Sequence, residues 1–340
     1  MRPTFKDVAD MSPAILPGVT LILREADVQQ VVDMDAVIGA VERSMRELGE
    51  GTAQNEPRRR AFAPGGLLNV MFATFPGGGL TGLKAYAIAA GKVRFLVTAF
   101  ALDGSLEALI EADYMGSYRT GAASAVAAKA LRPRTAVTVA IIGTGYQATR
   151  QVLALSRVCE IRELRAFGRD PRRRADFASE QQASLGLRVI AAASAETAVR
   201  GADIVVTMTT SSEPVLRADW VEPHALVIAA GSNFSNRTEI PIDLVTRATS
   251  VVVDQLATAQ LESGDLIQAH AAGKFDWDQA TELGSVLAGK WRLPEPPGIT
   301  VFESHGLAIW DLAAASVVLP AAREKGLGQE VDFSFRLDPP

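Results

Sequence analysis

Cysteine and histidine are scarce in this chain: one cysteine, Cys159, and three histidines, His224, His270 and His305. A single cysteine excludes an internal disulfide and a cysteine metal cluster, and Cys159 reads as a core residue. The histidines lie far apart without H-x-x-x-H spacing, so no zinc site is expected. No run of eighteen consecutive apolar residues occurs, so no membrane span is expected. Met1 to Asp10 carries Arg2, Lys6, Asp7 and Asp10 and lacks the apolar centre of a secretory leader, which makes the cytoplasm the expected compartment. A broad basic stretch is missing too, and the net charge of −5 argues against a nucleic-acid partner. Neither an internal repeat nor a low-complexity linker is present. What remains, 340 residues with 48% apolar and 21% charged content, is globular in character and long enough for two domains.

The stretch with the most chemical content is Ala136 to Arg174. A β-branched apolar run, Val137-Thr-Val-Ala-Ile-Ile142, ends in the G-x-G-x-x-A turn Gly143-Thr-Gly-Tyr-Gln-Ala148. A helical segment (Tyr146 to Val158) and a second strand (Leu164 to Phe167) follow, the βαβ context of a dinucleotide-binding fingerprint. Gly143 permits the tight turn, Gly145 lets the backbone approach a pyrophosphate, and Ala148 keeps helix and strand close. The free N–H groups at the helix start, from Thr144, Tyr146 and Gln147 onward, face the phosphates. A glycine-rich turn that binds nothing is the competing reading.

An NAD site places an acid at the end of the second strand to hold the ribose. Here that strand ends Phe167-Gly168-Arg169, and Asp170 before Pro171 reads as the N-cap of the next helix. Arg169 and the cluster Arg172 to Arg174 suit a 2′-phosphate, so NADP(H) is preferred and NAD(H) remains possible. The alternative is that these arginines form a solvated helix face.

In chain order, residues 1 to 18 read as an irregular arm. A strand at Val19 to Leu23 follows, then a helix from Met34 to Leu48 ending at Gly49. Strands are expected after Asn55 to Phe62, at Leu67 to Phe72, at Leu83 to Ile88 and at Val93 to Leu102, with a hairpin at Asp103-Gly104 into Ser105 to Ile110. This third is mostly antiparallel sheet. Alternation puts Lys84 on one face with Tyr86 and Ile88. Met115 to Leu131 is a long helix rich in Gly, Ala and Ser whose lone interior charge is Arg119. A cation on a surface built for close packing needs a partner, either a carboxylate such as Glu111 or a ligand anion. Strand–helix alternation then resumes: strands at Leu187 to Ala191, Ala202 to Met208, Ala225 to Ala230, Ser250 to Val253 and Ile299 to Phe302, with a short helix at Ala195 to Arg200. Thr209, Ser232 and Asn233 become candidates because ligands gather at the carboxyl ends of such strands. A final helix, Leu307 to Lys325, is expected to return to the first domain.

Taken together, Pro57-Arg58-Arg59, Gly82-Leu-Lys84, Tyr118-Arg-Thr-Gly-Ala-Ala-Ser124, Gly143-Thr-Gly-Tyr-Gln-Ala148, Gly231-Ser-Asn233 with Glu239, Glu262-Ser-Gly-Asp-Leu266, and Phe302-Glu-Ser-His-Gly306 with Asp311 resemble the ornithine cyclodeaminase/μ-crystallin family from about Val19 onward. The resemblance implies an α/β fold. A Rossmann domain (131–305) would be inserted in a discontinuous α+β substrate-binding and dimerisation domain (1–130 plus 306–340), and the protein would be a homodimer. Members reduce imines, oxidise amino acids or cyclodeaminate: ketimine reductases, alanine dehydrogenases, iminosuccinate reductases, cyclodeaminases, and μ-crystallin, which binds NADPH and thyroid hormone. By motif, Arg59, Lys84 and Arg119 would surround a substrate carboxylate, with Lys84 also near the reacting nitrogen. Thr98, Arg119, Thr209, Arg237 and Ser304 would touch cofactor. His305 would line the substrate pocket, where the family more often has a small apolar residue.

One departure bears on the chemistry. The cyclodeaminases place an aspartate base in the loop that here reads Gly231-Ser232-Asn233, and Asn233 cannot take up a proton. Asn233 alternatively is a turn residue bonded to its own backbone. The expectation is an NADP(H)-dependent reductase of a small imino acid, with Lys84 and Asn233 as catalytic residues. A cyclodeaminase of ornithine or lysine with tightly bound NAD is the alternative, and a non-catalytic NADPH-binding protein the alternative of another class. Arg58, Arg60 and His305 are candidates for a second anionic subsite, which would favour a dicarboxylate, or else lie on the surface.

Overall fold

The computed structural model describes residues 19–132 and 136–333, where sixteen strands form two eight-stranded sheets. The expected arm at 1–18, with the leader reading of Met1 to Asp10, lies outside the described residues.

The first sheet is built from β1 (Val19–Leu23), β2 (Gln54–Asn55), β3 (Arg59–Ala63), β4 (Gly66–Phe75), β5 (Leu80–Ala89), β6 (Lys92–Ala101) and β7 (Leu106–Glu111). It is antiparallel except for the parallel β1–β7 pair. Period-two alternation gives it two unlike faces. Met71, Phe75, Lys84, Tyr86 and Val97 are buried on one, while Leu68, Phe72 and Leu96 on the other are 41–51% exposed.

Helix α1 (Glu25–Val31) was not foreseen in the sequence, and α2 (Met34–Glu50) runs past its expected stop at Gly49 to a left-handed Gly51, φ +85°. Gly49 is a crossing point instead, since a Cβ there would collide with the Gly284 carbonyl. The long helix α3 (Asp113–Leu131) packs on α2 and on α4 (Tyr146–Val158). Gly121 permits that approach, because a side chain would strike the Arg150 carbonyl.

The second sheet contains β8 (Ala136–Ile142), β9 (Glu160–Phe167), β10 (Val189–Ala191), β11 (Ile204–Thr207), β12 (Leu226–Ala229), β13 (Ser250–Val253), β14 (Ala280–Glu282) and β15 (Thr300–Glu303). All its pairings are parallel, in the order β10-β9-β8-β11-β12-β15-β13-β14. Strands β11, β12, β13 and β15 are buried throughout, as strands covered on both faces must be. Helices α5 (Pro171–Leu185), α6 (Ala195–Val199), α7 (Ile242–Arg247), α8 (Leu256–Glu262), α9 (Gly264–Ala271) and α10 (Leu283–Leu287) lie between its strands in sequence.

After β15 the chain leaves this sheet. Helix α11 (Ala308–Glu324) packs on β4, β5, α2 and α3, and β16 (Gln329–Asp332) pairs with β1 at the edge of the first sheet. The parallel sheet is thus an insertion between β7 and the C-terminal return, a Rossmann-containing α/β fold. Helix α11 is buried nearly all round, which brings Asp311 beneath the first sheet beside Lys84.

Candidate active site

The order reversal of the parallel sheet falls at β8, between β9 and β11, and a cavity of about 510 Å³ opens at the carboxyl ends of these strands. Gly143, Thr144, Gly145, Arg169 and Thr209 line it. Gly143 has φ +110°, and a Cβ there would collide with the Met208 carbonyl, so both torsion and space demand glycine. Gly145 differs. It is the N-cap of α4, no side chain caps that helix, and a Cβ built there meets nothing within 4 Å. The free helix N–H groups and this open approach fit a pyrophosphate. A Gly145→Val substitution is expected to leave thermal stability within a few degrees while weakening cofactor binding roughly tenfold or more, read by fluorescence titration. The uncapped α4 terminus would then face a methyl group instead of a phosphate.

Asp170 caps α5, accepting from the Arg172 and Arg173 amides at 2.9 and 3.2 Å. Its Oδ1 is therefore engaged at the place where a ribose-binding acid would stand. Of the arginine cluster, Arg173 lines the cavity with Arg169, while Arg174 donates to the Gly168 carbonyl at 3.0 Å and lies over Phe167. Tyr146 (half-exposed) and Ala148 (buried) line neither this cavity nor the next. Ala148 serves helix packing, and Gln147 reaches the second cavity, where its buried Oε1 lacks a partner.

A second cavity, about 400 Å³, shares Met208 and Thr210 with the first. Lys84, Tyr86 and Ile88 line it together, as strand alternation requires, with Arg58, Arg119 and the loop 231–234. Lys84 Nζ lies 2.7 Å from Asp311 Oδ1 and over the Phe95 ring at 5.0 Å. Arg119 Nε reaches the same oxygen at 3.3 Å. Burial brings the Lys84 pKa down to about 8. The Asp311 carboxylate opposes that shift, and Arg119 and Arg58 add to it. The expected Arg119 partner, Glu111, is held by Arg24 and the Glu25 amide instead. Asp311, which entered the sequence reading only as a marker of resemblance, is the carboxylate that joins the two cations. Its separation from Lys84 by 227 residues left no local signal.

Two sequence assignments are corrected. Arg59 is exposed, and its pairing with Val70 puts it on the face of the sheet opposite to Lys84. The arginine in the cavity is Arg58, paired with the buried Glu262 and donating to the His305 and Gly306 carbonyls at 3.2 and 3.4 Å. Thr98 pairs with Leu83, one residue from Lys84, so alternation turns it away from both cavities.

The loop 231–234 is held residue by residue. The Gly231 amide donates to Glu239 at 2.7 Å, the Ser232 carbonyl accepts from His305 Nδ1 at 3.2 Å, and the Asn233 carbonyl accepts from Arg60 at 2.7 Å. Glu239 also accepts from the amide and hydroxyl of Thr209, both at 2.6 Å, tying together the loops after β11 and β12. Burial raises the Glu239 pKa against these donors. The turn bond expected of Asn233 is made by Ser232, whose hydroxyl accepts from the Phe234 amide, leaving Asn233 among the cavity-lining residues. Ser304, His305 and Arg237 line the same cavity. The second nitrogen of His305, Nε2, lies 3.5 Å from Glu303. Of the three candidates for a second anionic subsite, His305 has Nδ1 on the Ser232 carbonyl, and Arg58 and Arg60 both pair with Glu262. Among the described residues no group of three His, Cys, Asp or Glu side chains is placed to hold a metal ion.

Residues 18–326 match the model of the ornithine cyclodeaminase/mu-crystallin family. An alanine dehydrogenase of Archaeoglobus fulgidus is 33% identical over 331 residues, covering 94% of this chain and 99% of its own length. A pyrroline-2-carboxylate reductase of Thermococcus litoralis, solved with NADH and L-proline, superposes with a TM-score of 0.85 at 28% identity, over 92% of this chain and all of that one. An archaeal alanine dehydrogenase dimer with bound NAD gives 0.85 at 32% identity, over 93% and 100%. The chain belongs to the ornithine cyclodeaminase/mu-crystallin family.

Proposed function

We propose that this protein is an NADP(H)-dependent reductase of a small imino acid. The observation that carries the reading is Lys84: a buried amine with its pKa brought down to about 8, in a cavity that shares Met208 and Thr210 with a phosphate cradle. The nicotinamide cofactor supplies the hydride when bound, held by Gly143, Thr144, Gly145, Arg169 and Thr209. Arg119 and Arg58 take the substrate carboxylate. Lys84 Nζ gives a proton to the imine nitrogen as that nitrogen becomes an amine, so the hydride, the proton and the C=N bond balance as one C–H and one N–H. Asn233 orients the nitrogen without accepting a proton. The reverse reaction needs Lys84 neutral.

The NADP(H) preference rests on Arg169 and Arg173 at the cavity wall, which Asp170 shares with its Oδ1 engaged in capping. The two solved neighbours hold NADH and NAD, so this point needs its own test. Arg169→Glu is expected to weaken NADPH about tenfold relative to NADH in paired titrations. An equal effect on both would contradict the assignment.

We also read residues 1–130 with 306–340 as the substrate-binding and dimerisation unit, and 131–305 as the dinucleotide unit. The exposed Leu68, Phe72 and Leu96 face is then covered by a second copy, as an apolar sheet face requires.

Nicotinamide absorbance tests the activity. Oxidation of NADPH that needs a cyclic or open-chain α-imino acid supports the reductase. Ammonia release from ornithine or lysine with no net change in absorbance would establish the cyclodeaminase instead. Cofactor binding with neither would leave the binding protein.

A further inference from the structure

Asn233 carries no charge, so attraction does not draw its amide to a substrate nitrogen as it would draw a carboxylate. Its direction has to come from the backbone that bears it. Arg60 holds the Asn233 carbonyl from the β3 side at 2.7 Å. One residue earlier, the Ser232 carbonyl is met by His305 Nδ1 at 3.2 Å.

His305 is itself fixed. Its side chain is 3% exposed, its amide donates to Asp254 at 2.7 Å, and its carbonyl accepts from Arg58 at 3.2 Å. A carbonyl oxygen only accepts, so the ring hydrogen lies on Nδ1. Nε2 then faces Glu303 Oε2 at 3.5 Å, and among the described residues it has no hydrogen-bond partner. A lone pair on Nε2 and an ionised carboxylate would oppose each other, so one proton belongs between them. Burial pushes the Glu303 carboxyl well above the usual carboxylate range. Asp265, Glu239 and Asp254 add to that shift, while the Ser263 hydroxyl, donating to Oε2 at 3.1 Å, opposes it. Those three carboxylates are engaged elsewhere: Asp254 by the amides of Gln255, His305 and Gly306, Asp265 by those of Glu239 and Ile240, and Glu239 by those of Thr209 and Gly231. Two cations, Arg58 and Arg119, come up against Gly306. The proton facing Nε2 therefore rests on Glu303. Whichever of the two groups holds it, Nδ1 keeps the hydrogen that the Ser232 carbonyl accepts.

We propose that His305 is the positioning residue for Asn233: with Glu303 behind the ring, its Nδ1–H holds the Ser232 carbonyl and so aims the neighbouring amide at the substrate nitrogen. This rests on the imine-reductase reading of Asn233, and turnover, binding and the ring hydrogen test the two separately. In turnover the probe is 1-pyrroline-2-carboxylate with NADPH. His305→Leu, which fills the space of the ring without a donor, is expected to lower kcat about 10- to 30-fold with NADPH affinity changed less than about threefold. His305→Asn, whose amide can reach the same carbonyl, is expected to recover most of that loss. In an Asn233→Ala background, His305→Leu is expected to change kcat by less than about threefold, because the amide that it aims is gone. Titration of L-proline into the protein loaded with oxidised cofactor is expected to show the same non-additivity without turnover. Nitrogen-15 spectra of the histidine-labelled parent are expected to show the His305 hydrogen on Nδ1 at neutral pH. With three histidines in the chain, the signal lost in His305→Leu assigns it.

Losses that multiply in the double variant would overturn the proposal in favour of a role in pocket shape and leave the reductase intact. A ring hydrogen on Nε2 in place of Nδ1 would overturn it outright, on the parent protein alone. Non-additive L-proline binding with the hydrogen on Nδ1, but no turnover of any imine, would support the positioning role and refute the reductase.

Discussion

Lys84→Met is expected to lower kcat by about 10³-fold while NADPH affinity changes less than about threefold. A positioned general acid is worth roughly 10² to 10⁴ in rate, and Lys84 is the sole amine lining the cavity among the described residues. The other titratable groups there do not substitute for it. His305 Nδ1 is on the Ser232 carbonyl and Nε2 lies 3.5 Å from Glu303, and burial moves the Tyr86 hydroxyl above its usual range. Methionine nearly matches lysine in length and leaves Asp311 with Arg119, so the fold is expected to survive. Single-turnover rates with saturating imine, beside a fluorescence titration of NADPH, check this. A variant within tenfold of the parent would remove lysine from the mechanism.

The second large effect belongs to Asp311, which lines neither of the two cavities yet holds Lys84 and Arg119 on one oxygen. Asp311→Asn keeps the shape and removes the charge that resists deprotonation of Lys84. Breaking a buried pair costs ~3–5 kcal/mol, and one pKa unit corresponds to about 1.4 kcal/mol, so Lys84 sheds its proton before paying that penalty. Reduction by the parent enzyme falls as pH rises through about 8, because the protonated amine is the working form. In Asp311→Asn that limb moves to lower pH, with a loss at pH 8 on the order of 10²-fold and partial recovery toward pH 6. Amino-acid oxidation, which needs Lys84 neutral, has a rising limb that shifts to lower pH with the same group. A merely structural defect would lower the rate at every pH without moving the limb. Stability carries the matching sign. Since the lysine pKa is lowered in the fold, the unfolded chain holds more protons between about pH 8 and 10.5, and stability from this site rises with pH across that window.

Local pattern made much of this fold legible. The β-branched run before Gly143, the turn itself and the Asp170 cap are contiguous, and each is set by neighbours a few residues away. The alternation of Leu83 to Ile88 likewise placed Lys84, Tyr86 and Ile88 on one face. Gly49 shows where such reading ends: a glycine near a helix terminus resembles a stop, but its reason is a carbonyl 235 positions away at Gly284. Arg58 and Arg59 show a second limit, since one position of register decides which of two adjacent arginines enters the cavity. The pairs Lys84–Asp311 and Arg58–Glu262 required the tertiary fold, because nothing in sequence spacing connects β5 with α11 or the segment before β3 with α8.

Isotope transfer is the most direct measurement of the central claim, that hydride passes between nicotinamide and imine carbon over Lys84. NADPH deuterated at the transferable C4 position is mixed with the enzyme and a cyclic α-imino acid, and the product is weighed by mass spectrometry. The predicted result is an amino acid one mass unit heavier, with deuterium at the α-carbon, formed in equal amount to the cofactor oxidised and lost in Lys84→Met. Ammonia released from ornithine with the cofactor unconsumed, and no deuterium lost to an imine, would contradict it.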